Sequence, residues 1–188
     1  KESTLGGQLL LGSVTEYKKE LRNLIKFQER QIEKYGVKCR LNHEVTPDTV
    51  KAENPDVVIV ATGSLPTTPP VEGLDRDIVV PFEKILNGYH PKPQKTVVIG
   101  GGATGSEVAL HLAQQGCPVT IVEMLPQIGQ VLESITRKVL LKELGANHVV
   151  TFNGCRLSRV EAEGVVVIDA DEQERFIEAE RVIIAIGN

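Results

Sequence analysis

Residues 96–107 read Thr-Val-Val-Ile-Gly-Gly-Gly-Ala-Thr-Gly-Ser-Glu, and this stretch decides the fold. Its glycines follow the pattern Gly-x-Gly-x-x-Gly, formed by Gly100, Gly102 and Gly105. Alone, this pattern is weak, because it requires a particular structural context before it indicates a site. Here a β-branched run before it predicts a strand, the residues after it predict a helix, and residues 119–122 predict a second strand. This order is typical of a βαβ unit that binds a dinucleotide.

Each glycine of the pattern has its own physical role in such a unit. Gly100 permits the tight turn from strand to helix, Gly102 lets the backbone approach a pyrophosphate, and Gly105 lets the helix pack close to the strand. The unpaired N–H groups and the partial positive charge at the start of the helix suit phosphate groups. We therefore predict a dinucleotide site at this turn, which also includes Gly101, Ala103 and Thr104.

A carboxylate stands at the end of the second predicted strand. Glu123 can accept hydrogen bonds from both hydroxyl groups of the adenosine ribose. It would repel the 2′-phosphate of NADP, and no arginine follows at Met124 or Leu125. The sequence therefore predicts NAD(H) rather than NADP, with Glu123 and Met124 in the site. We place Glu107 near the nicotinamide; the alternative for this residue is a carboxylate that simply suits the start of a helix.

Further strands follow from the hydrophobic pattern. Residues 149–152 and 181–186 predict strands of the same parallel sheet. Three short segments separated by polar turns predict an antiparallel β-meander, at residues 156–160, 165–169 and 175–177. We therefore predict an α/β fold with a Rossmann-like parallel sheet and a three-stranded β-meander.

Two helices are predicted from their end signals. One begins at Ser13 or Thr15 and continues to about Tyr35. The other is capped by Ser134, ends near Leu144 and is stopped by Gly145.

Two strands are expected in the first part of the chain. Residues 37–41 alternate between apolar and polar side chains, as a short strand does. Residues 56–61 contain a continuous, mostly β-branched apolar run after Asp56, which is typical of a strand buried on both faces. Residues 64–73 contain three prolines and a glycine, so we interpret them as a linker. The predicted domains are residues 1–74 and residues 75–188.

Composition excludes several classes of partner. The chain has 188 residues and a net charge of −4, and only 4% of its residues are aromatic. Neither the charge nor the shortage of stacking side chains suits nucleic acid. No apolar run approaches the ~18 residues that span a bilayer. The three cysteines form no Cys-x-x-Cys pair and the histidines are scattered, so we predict no metal site and a reducing, cytoplasmic location.

The second part of the chain resembles the pyridine-nucleotide flavoproteins that have two dinucleotide-binding domains. Residues 101–107 are similar to the NAD(P)-domain fingerprint of that family. The predicted meander lies where the family places one. Residues 181–187 resemble the family's closing strand, which implies that Gly187 belongs to the NAD site.

The first part resembles two FAD-binding segments of the same family. Residues 5–9 are similar to the loop after the FAD ribose-binding strand, and residues 56–63 to a strand beside the FAD. The resemblance implies a partial FAD-binding domain, whose first strand and glycine turn would precede Lys1, and hence a fragment of a longer protein. It implies FAD contacts, in that longer protein, from Gly6, Gly7, Gln8, Ala61, Thr62 and Gly63.

The long predicted helix after Gln8 points to one branch of the family. That branch consists of large NADH:flavin oxidoreductases related to 2,4-dienoyl-CoA reductase, 2-enoate reductase and trimethylamine dehydrogenase. In it, an N-terminal barrel carries FMN and an iron–sulfur cluster, and electrons pass from NADH through FAD and the cluster to FMN and an enone or enoate. The implied partners are a small dinucleotide and this barrel of the same chain.

Three hypotheses follow for the function. The first is part of an enzyme that binds NADH and presents the nicotinamide to FAD; the cofactors carry the chemistry, so no side chain is predicted to be catalytic. The second is a non-catalytic ADP-binding or structural module of a protein like trimethylamine dehydrogenase. The third is a stand-alone NAD-dependent dehydrogenase, but no Ser/Tyr/Lys or His/Asp constellation accompanies the fold.

Overall fold

The structure is a computed structural model that describes residues 2–88 and 92–186. The chain forms two compact units, Lys1–Ser64 and Leu65–Asn188. Within the two described ranges, every helix is too short or too polar to cross a membrane.

The first unit is helical. Instead of one long helix after residue 13, the chain forms a single-turn 3-10 helix that begins after Thr15, and a separate α-helix follows it. Thr15, with an extended backbone (ψ 139°), caps the 3-10 helix, and a turn at Lys19 and Glu20 separates that helix from the α-helix. The helices of this unit are α1 (Gln8–Gly12), the 3-10 helix (Glu16–Lys18), α2 (Leu21–Lys34) and α3 (Pro47–Glu53).

Both predictions of a strand in the first unit are wrong. Residues 37–41 and 56–61 adopt irregular backbone. The side chains of Val57, Ile59 and Val60 are 76–87% exposed, although their sequence pattern is that of a buried strand. A parallel strand needs neighbours to accept and donate its backbone hydrogen bonds. The described part of this unit contains no other strand, so the apolar run has nothing to pair with.

The second unit is built on a parallel sheet, as predicted, and in the described residues this sheet has five strands. Its strands are β1 (Val79–Pro81), β2 (Thr96–Ile99), β3 (Val119–Glu123), β4 (Val150–Asn153) and β8 (Arg181–Ile184). Its helices are α4 (Phe82–Leu86), α5 (Ala103–Gln114) and α6 (Ser134–Ala146). All four residues of β2 are buried, which explains why its sequence is a continuous β-branched run.

The strand order is β1-β8-β2-β3-β4. From β2 the chain crosses through α5 to β3 on one side, whereas β8 pairs with the other side of β2. The side of the sheet to which successive strands are added therefore reverses at β2. In open α/β sheets, ligands bind in the crevice at the carboxyl ends of the strands at such a switch point. The fold places the glycine-rich turn after β2 at this point.

The predicted β-meander is confirmed. Three antiparallel strands lie in the order β5-β6-β7, with β5 at Arg156–Glu161, β6 at Gly164–Ile168 and β7 at Glu174–Glu178. Val160, Val165 and Val167 of the meander are buried in one cluster with Val97 and Val122 of the parallel sheet. This cluster holds the two sheets together.

The end of the proline-rich segment belongs to the second unit. The N–H of Val160 donates to the carbonyl of Glu72 (2.9 Å), and the side-chain Nε of Arg76 donates to the carbonyl of Val160 (2.9 Å). Gly73 lies so close to this carbonyl that a Cβ there would overlap it. The segment is therefore fastened to β5 from residue 72 onward. The assignment of the two units to an FAD-binding and an NAD(H)-binding domain remains a prediction.

Helix α5 packs unusually close to the turn that precedes it. Gly105 is buried, and a Cβ built on it would overlap the carbonyl oxygen of Gly100. By contrast, a Cβ on Gly145, in α6, would meet no atom within 4 Å in the described part of the chain. Gly145 lies inside α6, so the prediction that it stops this helix is wrong.

We expect opposite effects from the same substitution at these two glycines. Gly105→Ala should lower the free energy of unfolding by about 1–3 kcal/mol, because backbone must move to admit the methyl group. Gly145→Ala should raise it by up to about 1 kcal/mol, because alanine is the better helix former. Urea unfolding of the two variants beside the wild type measures both changes. A Gly105→Ala variant whose free energy of unfolding equals that of the wild type would contradict the close packing.

The cap of α6 is Glu133, not the predicted Ser134. Its carboxylate accepts hydrogen bonds from the backbone N–H groups of Ile135 (2.9 Å) and Thr136 (2.9 Å) and from the hydroxyl of Ser134 (2.9 Å). These donors, first of all the Ile135 N–H, lower the pKa of Glu133 to about 2. A side chain one residue earlier reaches the same N–H groups with two oxygens, whereas a serine offers one.

This cap predicts a pH-dependent contribution to stability. The folded-state pKa of Glu133 is depressed, so its contribution is complete above its ordinary value of 4.5 and is lost as the pH falls toward about 2. Glu133→Ala should therefore lower the melting temperature at pH 7, and the difference from the wild type should shrink between pH about 4.5 and about 2. Melting curves at a series of pH values measure this. A difference that stays constant as the pH falls through this window would contradict it.

Candidate functional site

The site begins where β2 ends, at a turn that only glycine can make. Gly100 has a φ of +102°, a conformation that residues with a Cβ rarely adopt. Its position is also closed by Ala185, the residue after β8, since a Cβ on Gly100 would overlap the carbonyl oxygen of Ala185. The N–H of Gly100 donates to the carbonyl of Val122 (2.8 Å), which continues the ladder between β2 and β3 by one residue. The turn is thereby hydrogen-bonded to β3 and packed against the residue that follows β8.

Gly101 is held from three sides. Its N–H donates to the Oε2 atom of Glu123 (2.5 Å). Its carbonyl accepts from the N–H of Gly129 (2.7 Å) and from the hydroxyl of Ser106 (3.0 Å). A Cβ on Gly101 would overlap the side chain of Ile128. All backbone hydrogen-bonding groups of this buried residue thus have protein partners, and its orientation is set by three separate elements.

Glu123 faces the glycine turn. Only 9% of the residue is exposed, and its Oε1 atom accepts from the N–H of Leu125 (2.7 Å) while Oε2 accepts from Gly101. A carboxylate offers about four lone-pair positions, so these two bonds leave acceptor capacity for a ligand. Since the partial positive charge of a helix lies at its N-terminus, the start of α5 favours a negative charge near this turn.

The next residues are open. A Cβ on Gly102 would meet no atom within 4 Å in the described part of the chain, and Ala103 and Thr104 are at least partly exposed. No side chain of the described residues caps α5. The first N–H groups of an α-helix have no acceptor within the helix. The turn therefore presents backbone donors and open space at Gly102, beside a fixed carboxylate, which fits the diphosphate and ribose of a dinucleotide.

The structure brings most of the predicted NAD(H) residues together. Residues 100–102 form the turn, Ala103, Thr104 and Gly105 begin α5, and Glu123 lies against the turn. Met124 follows Glu123 with its side chain 67% exposed. Glu107 is half-buried in α5. Gly187 lies outside the described residues. That these residues bind NAD(H) remains a prediction.

Two of the predicted FAD segments meet in the first unit. The side-chain amide of Gln8 donates to the carbonyl of Ser64 (3.1 Å), and the amide nitrogen also lies 3.9 Å from the position of a Cβ on Gly63. Gly6 (φ +111°) and Gly7 (φ +47°) form the turn that leads into α1. Ala61 and Thr62 are exposed. A loop and a distant segment, predicted separately from sequence, thus lie side by side.

Sequence reasoning missed the residues that hold Gly101. Ser106 stood within the quoted motif but had no role assigned, and Ile128 and Gly129 lay in an irregular segment without a recognised pattern. One signal was present in the sequence, a glycine at position 129, which in the structure adopts a φ of +62° and is buried beside Ile128. A single glycine in a loop is too common to reveal such a contact from sequence.

Comparison with known proteins agrees with this geometry. Residues 2–188 match the family described as pyridine nucleotide-disulphide oxidoreductase. The chain is 33% identical, over 191 residues, to an NADH oxidase from Thermoanaerobacter brockii, covering all of the chain and 29% of that protein. It is 34% identical, over 190 residues, to a cinnamate reductase from Clostridium sporogenes, covering all of the chain and 28% of that protein.

A solved structure shows the same fold. A 2-naphthoyl-CoA reductase complex superimposes with a TM-score of 0.91 at 30% sequence identity, and the match covers all of the chain and 28% of that protein. The chain thus spans less than a third of the length of these relatives. Because the family match extends over both units, and the glycine turn, carboxylate and meander occur in their expected order, the chain belongs to the pyridine nucleotide-disulphide oxidoreductase family.

Proposed function

We propose that the chain binds NADH at the turn formed by Gly100, Gly102 and Gly105 and presents its nicotinamide to FAD in a longer flavoprotein. One observation carries this proposal above all. Gly101 is fully engaged with the protein, whereas the neighbouring Gly102 and the start of α5 are left open. A turn that is closed on one side and open on the other can receive a ligand without rearrangement.

The residues of the chain bind and orient the dinucleotide. Gly102, Ala103 and Thr104 offer backbone N–H groups to the diphosphate, and the start of α5 adds its partial positive charge. Glu123 accepts the adenosine ribose hydroxyls with the capacity that Gly101 and Leu125 leave free. The bound nucleotide supplies hydride to the flavin, and the protein fixes the position of the two groups.

The first unit supplies part of the flavin site. Gln8 and Gly63 lie together there, and the family match extends through this unit. We propose that Gly6, Gly7, Gln8, Ala61, Thr62 and Gly63 contact FAD in the longer protein. The side chains of Val57, Ile59 and Val60 are exposed, and a sheet of the same flavin domain is the structure that their β-branched sequence suits.

The relatives suggest where the electrons go. An NADH oxidase and a cinnamate reductase match the whole chain, and cinnamate is an enoate. We propose that the longer protein passes electrons from FAD through an iron–sulfur cluster and FMN, carried by a barrel domain, to an enone or enoate. Residues of this chain contribute the NADH and FAD end of that path. We propose a cytoplasmic location for the protein. Cys39, Cys117 and Cys155 form no disulfide bond, which suits a reducing compartment.

The choice of nucleotide is testable at Glu123. NADH should bind the chain more tightly than NADPH, because the carboxylate would repel a 2′-phosphate. Glu123→Gln should weaken NADH binding about tenfold, since the amide nitrogen cannot accept a hydrogen bond. The same variant should weaken NADPH less, because the repelling charge has gone. Calorimetric titration with each nucleotide measures the four dissociation constants.

Glu163→Gln is the matched control. It removes the same charge from an exposed turn of the meander, and binding of both nucleotides should stay unchanged. No detectable NADH binding by the folded wild type at millimolar nucleotide would reject the proposed function. An unchanged preference for NADH in Glu123→Gln would reject the role of the carboxylate.

A further inference from the structure

We propose that Arg137, on α6, is a positioning residue of the dinucleotide site, which it shapes through one peptide group without touching the nucleotide. This inference rests on the proposed NADH binding. It explains how an irregular segment, residues 124–133, can hold the glycine turn in a defined orientation.

Arg137 fastens this segment by two hydrogen bonds. Its Nε donates to the carbonyl oxygen of Ile128 (2.8 Å), and one terminal nitrogen donates to the side-chain oxygen of Gln127 (2.9 Å). The arginine itself stands in the first turn of α6, where its N–H donates to the carbonyl of Glu133 (2.9 Å). A planar guanidinium with donors in fixed directions therefore links a regular helix to an irregular loop.

The Ile128 carbonyl belongs to the same peptide group as the N–H of Gly129. That N–H donates to the carbonyl of Gly101 (2.7 Å). Since a peptide group is planar and rigid, fixing its oxygen with Arg137 also fixes the direction of its N–H. Ile128 and Gly129 are buried, so water cannot readily replace either partner. Arg137 thus sets the orientation of the donor that holds Gly101.

The same geometry continues one peptide further. The Gly101 carbonyl shares a peptide group with the N–H of Gly102, and in a trans peptide these two bonds point in opposite directions. When Gly129 holds the Gly101 carbonyl, the N–H of Gly102 points away from the loop. Gly102 is the open position of the turn, and its N–H is one of the proposed phosphate donors. Two rigid peptide groups therefore connect Arg137 to a phosphate-binding N–H, and hydrogen bonds in such a chain strengthen one another.

The test compares Arg137→Met with Lys138→Met. Lys138 is the exposed neighbour on the same helix, and both substitutions remove one positive charge. Arg137→Met should raise the dissociation constant for NADH roughly tenfold, because hydrogen bonds from a charged donor are lost. It should also speed amide hydrogen exchange at Gly129, measured without nucleotide. Lys138→Met should change neither quantity.

Amide hydrogen exchange that becomes faster at Gly129 but not elsewhere distinguishes a positioning role from a general loss of structure. The amides of Val160 and Val165 in the meander should keep their protection in Arg137→Met. If this variant does not fold, Arg137→Lys decides instead. An ammonium keeps the charge but lacks the planar pair of donors in fixed directions, so weaker NADH binding and faster Gly129 exchange are still expected.

Any of three results would overturn the inference. The first is equal weakening of NADH binding by Arg137→Met and Lys138→Met, which indicates only a charge effect. The others are unchanged amide exchange at Gly129 in Arg137→Met, and unchanged NADH binding by this variant when the wild type binds. A wild type that does not bind NADH is a different result, because it rejects the proposed function itself.

Discussion

The site depends on the fixed peptide groups around Gly101. Three elements converge on this residue: the carboxylate at the end of β3, the hydroxyl of Ser106 in α5, and the N–H of Gly129 from the loop before α6. A buried backbone group left without a partner would cost about 1–3 kcal/mol, so the turn cannot easily adopt another orientation. The open N–H groups next to Gly101 are therefore held in place before any ligand arrives, which lowers the entropy lost on binding.

Absence of side chains makes this convergence possible. A Cβ on Gly100 would overlap Ala185, which follows β8, and a Cβ on Gly105 would overlap Gly100, so the end of the strand, the turn and the helix meet at backbone distance. Glu123 would combine two tasks, since the carboxylate that holds Gly101 is the one proposed to accept the ribose hydroxyls. Under the proposed function, a change of Glu123 would therefore alter both the turn and the choice of nucleotide.

The sequence was informative where the fold depends on local pattern. Buried parallel strands are continuous apolar runs, and the spacing from Gly100 to Glu123 follows from the βαβ geometry, so both could be predicted. Residues 56–61 were misjudged because a strand needs a partner, and pattern alone does not supply one. The roles of Ser106, Gly129 and Arg137 arise from contacts between irregular segments, for which no periodicity exists. The predicted cap of α6 lies one residue after the observed cap, because the Glu133 carboxylate reaches the N–H groups that a serine cap would reach.

The most direct test maps NADH on the chain by nuclear magnetic resonance. Titration of the ¹⁵N-labelled chain should shift the amide signals of Gly102, Ala103 and Thr104 most, and that of Leu125 through the Glu123 carboxylate. The meander strands should respond little, because they lie outside the crevice at the end of β2. Shifts concentrated in the meander, or none at millimolar NADH, would contradict the claim that this glycine turn is a preformed dinucleotide site.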